Sequence, residues 1–242
     1  MSKHKNKASE INMETHRKTQ KTEDVCLLVV KEKKSRLTNW QEIVSEIKQG
    51  TSFLEVGATV TCNLKDGTPT EFVVTDVTDT CVRFETRDFI GDEVRWNEHN
   101  TNEGGYPASD IRKYVDSVIW DLLPEDLQAV ISETDREWED KDRNRGTYTT
   151  KLFLSAASEV FDECTCFGDE RLYEQLDYYK NARNRIRLNE GGDAKSYWLS
   201  SVRIGYSEFV CLAGRSGYAG SGDASDLLRI NTPFPVMLLT CG

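Results

Sequence analysis

Histidine is scarce in this chain, and so are the side-chain patterns on which many enzymes rely. Only three of the 242 residues are histidines, and only His99 lies outside the first 36 residues. A histidine-based acid–base pair would therefore rest on a single side chain. The sequence also lacks a glycine-rich phosphate loop, a Gly-x-Ser-x-Gly turn and a His-Glu-x-x-His motif. We expect no enzymatic activity and no cofactor.

Long apolar runs are missing as well. No stretch approaches the ~18 apolar residues that a membrane-spanning helix needs, so we expect no membrane span. The first ten residues are polar and rich in lysine, with no apolar stretch behind them, so no secretory signal is expected. We expect a protein that is cytoplasmic as synthesised, with virion association or export by an unseen route left open.

Cysteine occurs seven times, an odd number that does not suit a complete disulfide framework. Most of these cysteines lie in apolar or alternating stretches, where thiols usually behave as small buried hydrophobes. The one close pair, Cys164 and Cys166, has a single intervening residue, which is too few for the usual zinc spacing. We expect reduced thiols and no metal site.

Positive charge is in deficit, since 31 lysines and arginines face 41 aspartates and glutamates for a net charge of −10. The deficit is uneven: residues 1–36 hold ten basic and five acidic side chains, and residues 37–242 hold 21 and 36. An acidic protein is a poor ligand for a nucleic-acid backbone, so we expect no nucleic-acid partner. The basic arm over residues 1–36 is predicted to be flexible and solvated. The alternative is that it docks on an acidic partner or a neighbouring subunit, forming a homo-oligomer through the N-terminal region.

Helical and alternating patterns then follow each other along the acidic part of the chain. Thr38 is predicted to cap a helix that ends at Gly50, with one apolar face formed by Trp40, Ile43, Val44 and Ile47. Residues 53–89 alternate and contain an Asp66-Gly67 turn, which predicts a small β meander.

The second half of the chain returns to helices before it becomes β again. A polar loop is predicted at residues 97–107, then a helix from Ser109, a third helix from Pro124 and an exposed charged loop at 132–151. Further predicted elements are a buried strand at 152–154, a fourth helix through Leu172, Leu176 and Tyr179, and strands at 197–200, 208–212 and 234–239.

Two short motifs resemble calcium sites. Asp140, Asp142 and Asn144 alternate as in a calcium loop, but Lys151 occupies the position where a bidentate glutamate is needed. We interpret this segment as a solvated charged loop. The tripeptide Trp96-Asn97-Glu98 is similar to a lectin calcium motif but is too short to predict a site.

Residues 203–226 have an unusual composition, dominated by glycine, serine, alanine, tyrosine, aspartate and arginine. Tyrosine and arginine typically anchor recognition surfaces, while serine and glycine adapt to the ligand. The alternative is an ordinary flexible loop between two core strands. The candidate ligand-binding residues are Arg203, Tyr206, Glu208, Arg215, Ser216, Tyr218, Ser221 and Asp223.

An ordered series of motifs resembles an uncharacterised domain family common in gut Firmicutes and their phages. The series begins with GGYPASDIRKY at residues 104–114 and continues with LLP at 122–124 and KLFLS at 151–155. It ends with SEVF at 158–161, YYK at 178–180, NRI at 184–186 and YWLSS at 197–201. Residues 53–96 resemble the family's leading β segment.

The C-terminal part of that family is similar to the C-type-lectin-like variable proteins of diversity-generating retroelements and to the related formylglycine-generating-enzyme fold. In the variable proteins a Trp-Leu-Arg-Ser-like strand precedes a hypervariable, ligand-contacting stretch. This chain has Trp198-Leu199-Ser200-Ser201 before residues 203–226.

The resemblance implies an α+β, C-type-lectin-like fold with short antiparallel sheets and flanking helices, preceded by a small β meander. The implied domains are the arm at 1–36, a helix and small β region at 37–100, and a ligand-binding domain at 101–242. The implied function is recognition of a protein or glycan ligand by a phage, prophage or bacterial protein, with a variable face at 203–226. Two alternatives stay open. One is a structural protein of a virion or cell-surface complex, and the other is an oxidative enzyme that binds copper through Cys211 and Cys241.

Overall fold

The computed structural model describes residues 36–37, 39–49, 54–162 and 170–237. The chain divides into two units, Met1–Arg36 and Leu37–Gly242, and the description below concerns the second. The predicted arm at 1–36 lies, except for Arg36, outside the described residues, as do Gly50, Cys164, Cys166 and Cys241. Among the described residues, no helix is both long and apolar enough to cross a membrane.

The described residues form an α+β fold with several short, mainly antiparallel sheets and few helices. A five-stranded sheet has the order β1-β2-β3-β4-β13, and a four-stranded sheet has the order β11-β10-β9-β12. Strands β5 and β6 form one hairpin, and β7 and β8 form another. The strands of the first sheet are β1 (Arg36–Leu37), β2 (Thr59–Asn63), β3 (Pro69–Val77), β4 (Cys81–Thr86) and β13 (Pro233–Met237). The others are β5 (Thr134–Glu139), β6 (Arg145–Thr150), β7 (Arg187–Leu188), β8 (Ala194–Lys195), β9 (Tyr197–Val202), β10 (Phe209–Ala213), β11 (Ala219–Asp223) and β12 (Arg229–Ile230).

The helices are short except for α1 (Trp40–Lys48). The short helix α2 (Gly105–Ala108) precedes a continuous helical run that consists of α3 (Asp110–Tyr114), the π-helical turn Val115–Ile119 and α4 (Trp120–Leu122). The remaining helices are α5 (Glu125–Gln128), α6 (Ala157–Val160), α7 (Asp177–Lys180) and the 3₁₀ turn Ala182–Arg185.

Aromatic rings fill the core beneath the first sheet. Trp40 of α1 makes edge contacts with Phe72 at 5.5 Å and Phe84 at 5.2 Å between ring centroids. Phe234 of β13 stacks on Phe84 at 5.8 Å. The same cluster includes Trp198 of β9, so residues on both sides of position 100 share one core. The domain division at position 100 stays a prediction.

Several sequence expectations are confirmed in this part of the fold. The helix at 40–48 buries Trp40, Ile43 and Ile47, and the alternation at 60–64 becomes β2. Gly67, which has a φ of +89°, forms the predicted turn between β2 and β3. The helix cap is wrong: Asn39, not Thr38, is the N-cap, and its side chain accepts a hydrogen bond from the Gln41 amide at 2.9 Å.

The exposed charged loop predicted at 132–151 is also wrong, because this segment is the β5–β6 hairpin. Its charged side chains are not all solvated: Arg136 and Glu139 are buried and have ionic partners. The calcium-like motif is the hairpin turn, in which the Asp140 carboxylate accepts the backbone N–H groups of Asp142 and Asn144. Long-range partners thus allow a charged segment to form a strand.

The fourth predicted helix is reduced to the single turn α7. The Glu170 carboxylate accepts the Leu172 backbone N–H at 2.8 Å, as well as the Ser158 N–H at 2.9 Å. Such side-chain bonds to the backbone compete with helix formation, so the residues before α7 are non-helical. Residues 152–154 are buried as predicted, although they do not form a strand.

A buried ionic network joins β4 of the five-stranded sheet to the β5–β6 hairpin, α6 and β7. Glu159 of α6 lies between two arginines, with its Oε1 at 2.6 Å from Arg83 Nη1 and its Oε2 at 2.7 Å from Arg136 Nη2. Arg83 also pairs with Glu85 at 3.0 Å, and Glu85 lies 3.6 Å from Arg187. All five side chains are at least nine-tenths buried.

The electrostatics of Glu159 follow from this placement. Burial by itself would raise the pKa of the carboxyl group, but the charges of Arg136 and Arg83 and their hydrogen bonds lower the pKa to about 2. A group whose pKa is lower in the folded than in the unfolded state stabilises the fold above its unfolded pKa. That stabilisation is lost as pH falls toward the folded value.

We therefore predict that Glu159→Gln lowers the free energy of unfolding at pH 7 by about 3–5 kcal/mol, because it leaves two buried arginines underpaired. The difference from wild type should shrink between pH 4.5 and pH 2, where Glu159 of the wild type takes up a proton. Urea unfolding at a series of pH values measures both effects. The matched control is Glu137→Gln, at an exposed position on the β5–β6 hairpin, which also carries Arg136. Equal unfolding free energies of the two variants would contradict the assignment.

Candidate functional site

The residues predicted to bind a ligand lie on and around the β10–β11 hairpin, at one edge of the four-stranded sheet. The segment 203–226 is more regular than a flexible loop, since Ala219–Asp223 forms β11 and pairs antiparallel with β10. Two register pairs, Cys211 with Ser221 and Phe209 with Asp223, place these side chains on the same face.

The eight predicted residues do not form one cluster. Arg203, Tyr206, Glu208, Ser221 and Asp223 lie toward the end of the hairpin where β10 begins. Arg215, Ser216 and Tyr218 lie at the connecting turn, about 14 Å away along β10. A single small ligand could not contact both groups, so the site has to be sought at one end.

The first end is organised around Arg203, which follows β9. Its guanidinium carbon lies 4.2 Å from the ring centroid of Tyr206 and 5.5 Å from that of Phe209. Its Nη1 donates a long hydrogen bond of 3.4 Å to the Ser221 hydroxyl across the hairpin. These four residues, Arg203, Tyr206, Phe209 and Ser221, are named the Arg203 cluster below.

Arg203 lacks an ion pair with any described residue, although the side chain is half-buried. Eight other described arginines, among them Arg83, Arg136 and Arg187, are paired with carboxylates. A stacked guanidinium keeps its planar set of N–H donors in a fixed orientation and can bind a carboxylate through two of them. The Arg203 cluster can therefore bind an anionic group.

The neighbouring carboxylates do not neutralise Arg203. Glu208 immediately precedes Phe209, the register partner of Asp223, and successive side chains point to opposite faces, so Glu208 lies on the opposite face from Asp223. The Glu208 Oε2 accepts a hydrogen bond from the Ser207 hydroxyl at 2.9 Å. The Asp223 backbone donates to the Asp226 carboxylate at 3.2 Å and accepts the Asp226 N–H at 2.8 Å.

A buried asparagine holds the loop that carries Tyr206. Asn102 is fully buried, and its Nδ2 donates to the carbonyl oxygens of Tyr206 at 2.7 Å and Phe209 at 2.8 Å. Its backbone N–H donates to the Ser207 carbonyl at 2.7 Å. The sequence predicted an undifferentiated polar loop at 97–107 and missed this role, because nothing in a run of polar residues distinguishes the buried asparagine. The segment also ends in the helical turn Gly105–Ala108 rather than in a loop.

A second contact fixes the same loop from the β5–β6 side, where the Gly205 N–H donates to the Lys141 carbonyl at 2.8 Å. Gly205 has a φ of +82°, a conformation that favours glycine. The loop between β9 and β10 is thus bound to two separate segments. Binding residues presented by a loop on such a frame keep their geometry without the ligand.

The turn end of the hairpin has a different character. Tyr218 is 76% exposed, and the Arg215 N–H donates to the Ser196 hydroxyl at 3.2 Å. A cavity of about 450 Å³ borders Arg215, with Glu93, Asp193 and Lys195 among its other lining residues. This mixture of charges gives no specific chemistry.

Two larger cavities lie away from the predicted residues. One of about 870 Å³ is lined by residues that include Ser158, Arg171 and Tyr173. The other, of about 520 Å³, has an apolar floor and five carboxylates, Asp66, Glu71, Asp88, Asp92 and Glu190. The Arg203 cluster lines neither of these two cavities, and its Tyr206 side chain is 44% exposed.

The remaining sequence motifs have structural roles. Trp96 is buried and donates its indole N–H to the Leu199 carbonyl at 3.3 Å, while Asn97 accepts the Asp110 N–H at 2.8 Å. Cys211 is buried in the second core cluster. Within the described ranges, no group of three or more His, Cys, Asp and Glu side chains could hold a metal ion.

We predict that Asn102→Ala lowers the free energy of unfolding by about 1–3 kcal/mol, because the carbonyl oxygens of Tyr206 and Phe209 each lose the donor that Asn102 supplies. The amides of residues 203–209 should also exchange with solvent faster. Both effects are measurable by urea unfolding and hydrogen exchange. The control is Asn100→Ala at an exposed position of the same loop. If both variants exchange like the wild type, Asn102 does not hold the loop.

Comparison with known proteins identifies a family but no relative of known function. The sequence profile of a domain of unknown function, DUF6273, matches residues 78–230. The matched region begins just before β4 and ends at β12, and it includes the whole Arg203 cluster. No curated protein and no solved structure matches the chain. Because the match covers well over half of the sequence, the chain belongs to the family of the domain of unknown function DUF6273.

Proposed function

We propose that this protein is a ligand-binding protein whose contact surface is centred on the Arg203 cluster. The observation that carries the proposal is the half-buried guanidinium of Arg203, which lies over the Tyr206 ring and beside Phe209 and has no ion pair among the described residues. Partial burial of an unpaired charge costs stability, and an external anion would offset that cost. The proposal assigns binding and no catalytic activity to the chain.

The open shape of the surface favours a protein ligand over a glycan or small molecule. Small-molecule sites are usually concave, whereas the Arg203 cluster lines neither the 870 Å³ nor the 520 Å³ cavity. Tyr206 is 44% exposed beside the guanidinium, and exposed tyrosine and arginine are frequent anchors of protein interfaces. The ligand we favour is a protein surface that brings a carboxylate to Arg203.

We further propose that the fold is C-type-lectin-like and that residues 203–226 form the variable face of a phage, prophage or bacterial recognition protein. Support comes from the order of the segments: the buried strand 197–202 leads directly into the Tyr-, Ser- and Gly-rich hairpin. Diversification by a retroelement makes a genetic prediction. A near-copy of the DNA that encodes residues 198–240 should lie nearby and differ mainly at adenines of the template.

A structural role in a virion or cell-surface complex is the second candidate. It is favoured by the position of β11 at the edge of its sheet, where a neighbouring subunit could cover it. In that case residues 203–226 would be buried between copies in the assembled particle. The two candidates differ in whether residues 203–226 stay accessible to an external ligand in the assembled particle.

We predict that Arg203→Gln and Tyr206→Ala each weaken binding at least tenfold, because each removes part of the anion-binding stack. Arg215→Gln and Tyr218→Ala, at the other end of the hairpin, are the matched controls and should retain binding. The full-length chain is tested against a displayed library of random linear peptides and against a glycan array.

Loss of binding in the first pair alone supports the Arg203 cluster. Equal loss in both pairs would extend the surface over the whole hairpin, as the sequence first predicted, and would contradict its restriction to one end. Binding to glycans alone would contradict the choice of a protein ligand.

A further inference from the structure

The outer edge of β11 has unpaired backbone groups. In the sheet order β11-β10-β9-β12, β11 has a hydrogen-bonded neighbour on one side only. The Ala224 N–H donates to the Glu208 carbonyl, and the Gly214 N–H donates to the Tyr218 carbonyl. Hydrogen-bonded pairs alternate along an antiparallel ladder, so Gly220 and Gly222 also face β10. The backbone N–H and C=O groups of the alternate residues consequently point away from β10, toward the outer edge; these residues are Ala219, Ser221 and Asp223.

Only one of these three residues is capped. Asp226 occupies both outward groups of Asp223, through its carboxylate and its backbone N–H. Among the described residues, the outward N–H and C=O groups of Ala219 and Ser221 have no hydrogen-bond partner. Ala219 and Ser221 therefore present two backbone N–H donors and two C=O acceptors along the outer edge, at the spacing of the matching groups on a neighbouring strand.

Within the described ranges, β11 also lacks the usual protection of a sheet edge. Natural edges are commonly blocked by proline, lysine, a bulge or a covering segment. β11 has the sequence Ala-Gly-Ser-Gly-Asp, and its register with β10 is uninterrupted. An unprotected edge of this kind is a template for strand addition.

We propose that β11 binds an extended segment of a partner protein as an additional antiparallel strand, and that an acidic side chain of this segment pairs with Arg203. The proposal rests on the proposed function, because it assigns a ligand to the same Arg203 cluster. In an antiparallel pair, the residue opposite Ser221 has its side chain on the same face, with the two Cβ atoms about 4.5–5.5 Å apart. Arg203 Nη1 lies 3.4 Å from the Ser221 hydroxyl on that face. An Asp or Glu opposite Ser221 is therefore within reach of the guanidinium.

A second copy of β11 fits this edge less well than a different sequence. If two copies of β11 pair antiparallel through the outward groups of Ala219 and Ser221, Ser221 lies opposite Ala219 of the partner subunit. An alanine side chain supplies no anionic group to Arg203. The register that places Asp223 of the partner subunit opposite Ser221 requires backbone groups that Asp226 already occupies. The unpaired charge of Arg203 thus favours a segment with its own carboxylate.

Backbone variants of the full-length chain test the proposal. Ser221→Pro and Ala219→Pro each remove one outward N–H, and proline is tolerated at edge positions whose N–H faces solvent. Ser221→Ala is the matched control, since it keeps the N–H and removes only the hydroxyl. The probe is the displayed library of random linear peptides, and folding of each variant is checked by circular dichroism.

We expect the selected peptides to share an acidic residue flanked by β-branched residues. Both proline variants should bind these peptides at least tenfold more weakly than wild type. Ser221→Pro should also bind at least tenfold more weakly than Ser221→Ala, and this comparison separates loss of the N–H from loss of the hydroxyl. Arg203→Gln should remove the preference for an acidic residue.

Different failures have different meanings. If Arg203→Gln loses binding and both proline variants keep it, strand addition is wrong and the proposed function stands. If every variant binds like the wild type, or no peptide is selected, both proposals are overturned. A concentration-dependent dimer that sediments as a monomer after Ser221→Pro would show that a second copy, not another protein, occupies the edge.

Discussion

The buried pairing of Glu159 with Arg83 and Arg136 is the interaction on which the arrangement of the sheets depends. It joins three elements that are distant in sequence: β4, the β5–β6 hairpin and α6. Burying these charges costs several kcal/mol per ion, and the cost is met only while all partners are present. The network therefore contributes less to net stability than to fixing one arrangement of the elements. Tyr179 and Asn231 extend it by hydrogen bonds to Glu85.

The network also determines where the candidate site lies. The segment that contains Glu159 contacts β9 directly, since the Ser200 N–H donates to the Ser155 carbonyl and the Ala157 N–H donates to the Ser201 hydroxyl. Strand β9 in turn pairs with β10 and ends at Val202, directly before Arg203. A rigid core on one side of β9 thus leaves the β10–β11 hairpin as the edge of the sheet. The Arg203 cluster and the open groups of β11 are two properties of this one edge.

Sequence patterns predicted the elements whose burial is periodic and missed those that depend on distant partners. The alternation of Val60, Cys62 and Leu64 predicts β2, because one face of that strand is apolar. The β5–β6 hairpin was missed, since Arg136 is buried against Glu159 outside the hairpin and Glu139 pairs with Arg145 across it, and neither pairing gives an apolar period. Strand β11 was missed for another reason: glycine, serine and alanine give no apolar period.

The same limits apply to the candidate site. Composition drew attention to residues 203–226, but it could not divide them between the two ends of a hairpin. That division depends on the register of β10 with β11. Asn102 was not predicted at all, because its role consists of two hydrogen bonds to a loop about 100 residues later in the chain.

The central claim, that β11 is an open edge with outward groups at Ala219 and Ser221, is tested most directly by residue-resolved amide hydrogen exchange of the free full-length protein. The account predicts an alternation along the strand. The amides of Gly220 and Gly222, bonded to β10, should exchange slowly, while those of Ala219 and Ser221 should exchange at least tenfold faster. Equal protection of all four amides would show that another segment or a second copy already covers the edge, and would contradict the account.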